Sequence, residues 1–318
     1  VVIVHIRKLV KSGEASHTVS LPKGWIDENK LTRGDLIYID ETHDNELLVT
    51  AKAVDRKPAP KELTINIDGK HLNTVQREIT SAYINNFNTI NIIGKEITQK
   101  ARDIRRILHD FVALEIGEQT GTKIVANDLL NVADISVEKT IRRMDMIVRS
   151  IIQDSISALD GEDLHESIIF RDYDVNRQYF LVYRILKGAL DDKNIAKSFG
   201  INNSQALSMW YLSINLENLA DHSKNISQIL SKNKVKSMDE LKELYAPMQQ
   251  AYLDVMKAYF TKDVPLADSV NNFRVKFADS CDAYFEKNNK VQVAQIVTNL
   301  KDMSTMICNI ARIVMDYN

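Results

Sequence analysis

The sequence predicts a multidomain chain: a small β unit, an α+β middle domain and an all-α second half. Three observations carry this. Short β-branched runs fill the first fifty residues, strand and helix patterns alternate over residues 62–128, and from Ser136 onward the apolar spacing is helical throughout. The 318 residues suit two or three domains. The composition, 44% hydrophobic and 26% charged, is that of a soluble globular protein.

Val1 to Ile6 reads as strand, continued by Arg7-Lys8-Leu9-Val10-Lys11 and broken at Gly13. Ser16 to Pro22 is a second strand and Lys23 to Asn29 a short helix or turn. Gly34-Asp35 turns the chain into Leu36–Asp40, and a polar hairpin at His43-Asp44-Asn45 leads to Leu47–Thr50. Four such strands are marginal alone, and oligomerisation is the usual remedy. Arg56-Lys57-Pro58-Ala59-Pro60-Lys61 reads as an exposed linker.

The middle segment reads β-α-β-α-β-β: strands at Leu63–Ile67 and Thr89–Ile93, helices at Leu72–Ile84 and Thr98–Leu108, strands at Phe111–Ile116 and Thr122–Ala126. The second half reads as six helices: Val137–Leu159, Leu164–Leu190, Ser204–Leu230, Asp239–Phe260, Leu266–Phe285 and Val291–Tyr317, with Asp263-Val264-Pro265 as a stop. The third and sixth share a weak repeat. Asn215, Leu216, Asn225 and Ile226 match Asn299, Leu300, Asn309 and Ile310 at a constant offset, so three helices are followed by three again.

Net charge is -2, so any nucleic-acid surface is local. No apolar run approaches the ~18 residues of a spanning helix, and membrane insertion is not expected. Cys281 and Cys308 lack metal spacing and read as buried free thiols. With no signal peptide ahead of the first strand-like run, a cytoplasmic location is expected.

Arg7-Lys8, Gly13, the run Val19-Ser20-Leu21-Pro22-Lys23, Trp25 and Gly34-Asp35 before an apolar strand resemble the AbrB/SpoVT swapped-hairpin family over residues 3–52. The resemblance implies a swapped-hairpin β-barrel domain at residues 1–55, an intertwined homodimer, and DNA contact through Arg7, Lys8, Lys11, Lys23 and Arg33. Phosphate contacts of that kind release counterions and are salt-sensitive. The chain departs from the family in placing Glu14-Ala15-Ser16-His17 after Gly13, where a basic residue is common. The alternative is a dimerisation module whose lysines are merely solvated.

Arg171-Asp172-Tyr173-Asp174-Val175-Asn176, and Asn215-Leu216-Glu217-Asn218-Leu219-Ala220-Asp221-His222-Ser223-Lys224-Asn225-Ile226, resemble the PhoU family of phosphate-uptake regulators over residues 130–318. The resemblance implies an all-α tandem three-helix bundle and, in some members, metal clusters on a carboxylate surface. Glu217 and Asp221 match the ligand pair, and Asp172 and Asp174 lie in the matching part of the second helix. Two carboxylates at i and i+4 share one helical face. They suit a divalent or iron-type metal ion only with a third donor from Asp172 or Asp174. A solvated charged face is the other reading. The second repeat has Lys301 and Thr305 where the first has Glu217 and Asp221, and is expected to stay empty. His222 points about 100° away from Asp221 around the helix and reads as a capping or packing residue.

No serine or cysteine nucleophile and no Gly-rich phosphate loop accompanies these residues, so an enzyme is not expected. Two function classes follow. One is a phosphate-linked transcriptional regulator with an AbrB-like DNA-binding dimer, a spacer at residues 62–128, and a PhoU-like sensing half. The other is an adaptor that does not bind DNA and contacts a phosphate-transporter ATPase or a signalling kinase.

Overall fold

Glycine and aspartate turns set the shape of the N-terminal unit, residues 1–59. The computed structural model describes residues 5–41, 47–52, 60–131, 135–191, 195–196, 199–233 and 238–316. In the first unit β1 (Val10–Lys11) pairs antiparallel with β2 (His17–Thr18). Gly13, at φ 94°, sits in the turn between them, a backbone state open to glycine at little cost. The helix α1 (Lys23–Glu28) follows Pro22. In the next turn the Asp35 carboxylate accepts from the Thr32 amide at 2.6 Å and from Thr32 Oγ1 at 3.0 Å. The backbone bond, then the hydroxyl bond, holds that carboxyl below its ordinary range. β3 (Tyr38–Glu41) then pairs with β4 (Leu47–Thr50), Tyr38 opposite Thr50.

Among the described residues the two hairpins form separate two-stranded sheets, and the expected barrel is not seen. Among the described residues the first two strands are also shorter than expected. A strand lasts only as far as a partner satisfies its backbone groups, and here that is two residues on each side. Val1–Val4 and the hairpin tip His43–Asn45 lie outside the described residues. No side chain described in this unit is buried. Leu9, Val19, Leu36 and Leu47 expose 69, 54, 76 and 63% of their surface.

Residues 60–318 form the second unit. It contains two hydrophobic cores. The first belongs to a four-stranded sheet of order β5-β6-β8-β7. Its elements run β5 (Glu62–Asn66), α2 (Leu72–Ile84), β6 (Thr89–Ile93), α3 (Ile97–His109), β7 (Leu114–Gln119) and β8 (Lys123–Asp128). β5 and β6 are parallel, as the intervening helix requires, and the remaining pairs are antiparallel. Ile65, Ile90, Ile92 and Ile124 meet Val75, Ile79, Ile104 and Leu108 of the helices. The strand expected from Phe111 starts three residues later. Phe111 is taken into the core against Tyr83, and Ala113 turns the chain at φ 60°.

The second core is helical. α4 (Val137–Ser157) starts at Ser136, whose side chain accepts from the Lys139 amide, and runs into a 3₁₀ turn at Ala158–Asp160. α5 (His165–Asp191) and α6 (Asn203–Lys232) complete the first repeat. Asn202 and Gln205 form a reciprocal capping box at the start of α6. The second repeat has α7 (Met238–Thr261), α8 (Val264–Asn271), α9 (Phe273–Lys287) and α10 (Val291–Met315). Two expectations are corrected here. The predicted fifth helix is two, divided at Asn272. Asp263-Val264-Pro265 is a start rather than a stop. Asp263 caps α8 by accepting from the Leu266 amide at 3.0 Å, and a proline in the first turn lacks only an N–H that has no helical partner.

The α+β layer and the helices are joined through α5. Arg184 is buried and donates to Asn86 Oδ1 at 2.8 Å and to both Asp128 carboxylate oxygens, one of them at 3.0 Å. Its guanidinium lies 4.5 Å from the centre of the Tyr83 ring. Lys187 donates to Asn85 Oδ1 at 2.7 Å, and Phe180 packs on Phe111 with ring centres 5.5 Å apart. The boundary expected near residue 129 therefore separates two cores within one compact unit.

Candidate functional site

The heptad spacing of α6 turns Leu212, Leu216, Leu219 and Ile226 into the helical core. Polar residues on the flanks of that stripe then face α5 and α10. Toward α10, Asn309 Nδ2 donates to Asn215 Oδ1 at 3.1 Å, and His222 Nδ1 lies 2.8 Å from Asn299 Oδ1. These bonds tie together the matching helices of the two repeats.

Toward α5 lies the carboxylate cluster. Glu217 and Asp221 sit one turn apart on α6, and Asp172 on α5 closes the group. Asp174 does not join. It stands two residues beyond Asp172, about 200° around the helix. A fourth side chain takes part that sequence reasoning missed. Lys224 Nζ donates to Asp172 Oδ2 at 2.6 Å and also to Asp221 Oδ1. Lys224 is three residues after Asp221 and seven after Glu217, and both spacings put it on the carboxylate face. That spacing was the available signal.

The charges explain the protonation states. Burial, and then the Asp221 and Asp172 carboxylates, push Glu217 up to about 7 against the pull of Lys224. Burial raises Asp172 against the opposing pull of Lys224, and the neighbouring Asp221 adds to the rise. Burial works against the charge on Lys224, but its bonds to Asp172 and Asp221 outweigh that and hold it above the ordinary lysine range. Tyr179 is carried to about 12 by burial, with the Glu217 charge adding to it.

These residues, as arranged, do not fit a metal. An ammonium stands on one oxygen each of Asp172 and Asp221, and a divalent ion drawing on both would have to expel it. Among the described residues no group of three or more His, Cys, Asp or Glu side chains is placed to hold a metal ion. In the second repeat Lys301 Nζ lies 2.5 Å from Asp282 Oδ1, and Thr305 Oγ1 donates to the Lys301 carbonyl at 3.1 Å.

The other predicted residues lie in the first unit. Arg7 and Lys8 precede β1, Lys11 ends it, Lys23 opens α1, and Arg33 stands in the turn before β3. All five are exposed. Cys281 and Cys308 are buried free thiols, as expected. Among the described residues no helix is long and apolar enough to cross a membrane.

Residues 141–230, which span most of α4, all of α5 and nearly all of α6, match the family model of the PhoU domain. That match lies outside residues 1–55. Two crystal structures are similar to the chain. One is PhoU from Pseudomonas aeruginosa, 15% identical, covering 56% of this chain and 93% of that one, with a TM-score of 0.45. The other is the phosphate transport system regulatory protein PhoU from Streptococcus pneumoniae, 16% identical, covering 56% and 91%, with a TM-score of 0.46. No curated protein matches the chain.

Proposed function

We propose that the chain is a PhoU-type regulator of phosphate uptake that works as an adaptor, docking its helical half on a phosphate-transporter ATPase or a signalling kinase. The observation that carries this reading is the PhoU-domain match across α4, α5 and α6. The charged cluster on those helices is consistent with it: Lys224 bonds Asp172 and Asp221 within it. The proposal assigns no reaction to the chain. The test is radiolabelled phosphate uptake by cells that lack the protein. Uptake should continue under phosphate excess and be shut down again when the parent chain is restored. Uptake that is equally repressed with and without the protein would reject the reading.

In this proposal the N-terminal unit joins two copies. Leu9, Val19, Leu36 and Leu47 are apolar and exposed there, and a second copy would cover them. Changing Val19 and Leu36 to Glu in the full chain should lower the mass measured by light scattering. An unchanged mass would reject a dimer built through this unit.

A second reading has one observation in its favour. Arg7, Lys8, Lys11, Lys23 and Arg33 are all exposed on the unit that resembles AbrB/SpoVT proteins, which supports contact with DNA phosphates. Gel shifts at two salt concentrations should show salt-sensitive binding that is lost in Arg7→Ala/Lys8→Ala/Lys23→Ala. A triple variant that binds as the parent does would remove this reading and leave the adaptor.

A further inference from the structure

We infer that Lys224 is the resident cation of the carboxylate cluster, taking the place that a metal ion would otherwise hold. The argument begins with burial. The Asp172 side chain is 3% exposed, and a carboxylate that deep is costly unless a cation meets it. The cation that meets it is Lys224, at 2.6 Å, and the same ammonium bonds Asp221. An ammonium has three donors and no acceptor, so it can do for several carboxylates what a metal does. It is covalently tethered, which a metal is not. Its effective concentration at the site is fixed by the backbone of α6, and neither a chelator nor a change in metal supply can remove it.

The second repeat carries the same logic independently. Lys301, on the helix that corresponds to α6, reaches Asp282 on α9 at 2.5 Å. In both repeats a lysine of the last helix holds an aspartate of the helix before it. A hard divalent cation needs six or more oxygens at short, fixed distances. Three carboxylates, two of them already bonded to an ammonium, offer no such shell. The first repeat is therefore metal-independent, and its charge is set by protein groups alone. This holds whatever the helices dock on, and it does not rest on the phosphate-uptake reading.

The test uses the full chain purified without chelator, and compares the parent with Lys224→Met, which keeps length and removes charge. The parent should contain no stoichiometric manganese, iron or zinc, and its thermal midpoint should be the same in EDTA and in added Mn²⁺. Lys224→Met should unfold at a lower temperature and recover several degrees on adding Mn²⁺, because the freed carboxylates now form an open site. The recovery should vanish in Lys224→Met/Glu217→Gln. Lys224→Arg should behave as the parent, since it keeps the charge. Stoichiometric metal in the parent would overturn the inference, as would a Lys224→Met chain as stable as the parent and indifferent to Mn²⁺. Should Lys224→Met fail to fold, a folded Lys224→Arg supports the charge role. Failure of both would assign Lys224 to packing and overturn it.

Discussion

In the first helical repeat Lys224 holds an aspartate whose side chain is 3% exposed; in the second, Lys301 holds one that is 60% exposed. The distances, 2.6 and 2.5 Å, are nearly equal. The lysines are alike as well, at 27 and 32% exposed. What differs is the surrounding medium. An exposed pair exchanges solvation for a contact of similar worth and gains little. A buried carboxylate has lost its water already, so the loss of its cation leaves a charge with nothing to stabilise it. Two repeats with related sequences thus carry lysine–aspartate pairs at non-equivalent positions, with unequal consequences.

That contrast orders a series of substitutions. The upper end is set by Arg184 and Asp128, 2 and 5% exposed, which join the α+β layer to α5. Arg184→Ala should destabilise the chain by about 3–5 kcal/mol in urea denaturation, since it strands Asp128 and unseats Asn86. Lys224→Met should cost about 2–3 kcal/mol, less than Arg184→Ala because Lys224 reaches solvent. A cost as small as that of an exposed pair would erase the distinction between the repeats.

The pH dependence sharpens the contrast further. Glu217 is raised to about 7, well above the unfolded carboxyl range near 4.3. The folded state therefore holds its proton more tightly. The stability this confers is fully present below about pH 4 and is lost as pH rises through 7. Glu217→Gln should remove that loss and leave the variant about 1–2 kcal/mol more stable than the parent at pH 8, with little difference at pH 5. Unfolding curves at the two pH values measure it. At the small end, Lys301→Met should change stability by no more than about 0.5 kcal/mol at any of these pH values.

Much of the architecture was legible before the coordinates. The 3.6-residue spacing of Leu212, Leu216, Leu219 and Ile226 announced a buried stripe, and the shared offset of Asn215/Asn299 and Asn225/Asn309 announced the repeat. What failed was local punctuation and distant pairing. Pro265 reads as a helix stop because proline usually follows helix ends, yet it also fits a first turn, and only the Asp263 cap decides between them. The break at Asn272 has no glycine or proline to mark it. Lys224 carries no oxygen donor, so a ligand-set reading of the carboxylates does not single it out. Arg184, Asp128 and Asn86 lie 56 and 98 residues apart, and no periodicity reports such a meeting.

The central claim is that the first repeat keeps its own cation. A pair of double-mutant cycles tests it most directly: Lys224→Met with Asp172→Asn, and Lys301→Met with Asp282→Asn, all in EDTA. The account predicts a coupling of about 1–3 kcal/mol in the first repeat and below about 0.5 kcal/mol in the second. Equal couplings in the two repeats would contradict it.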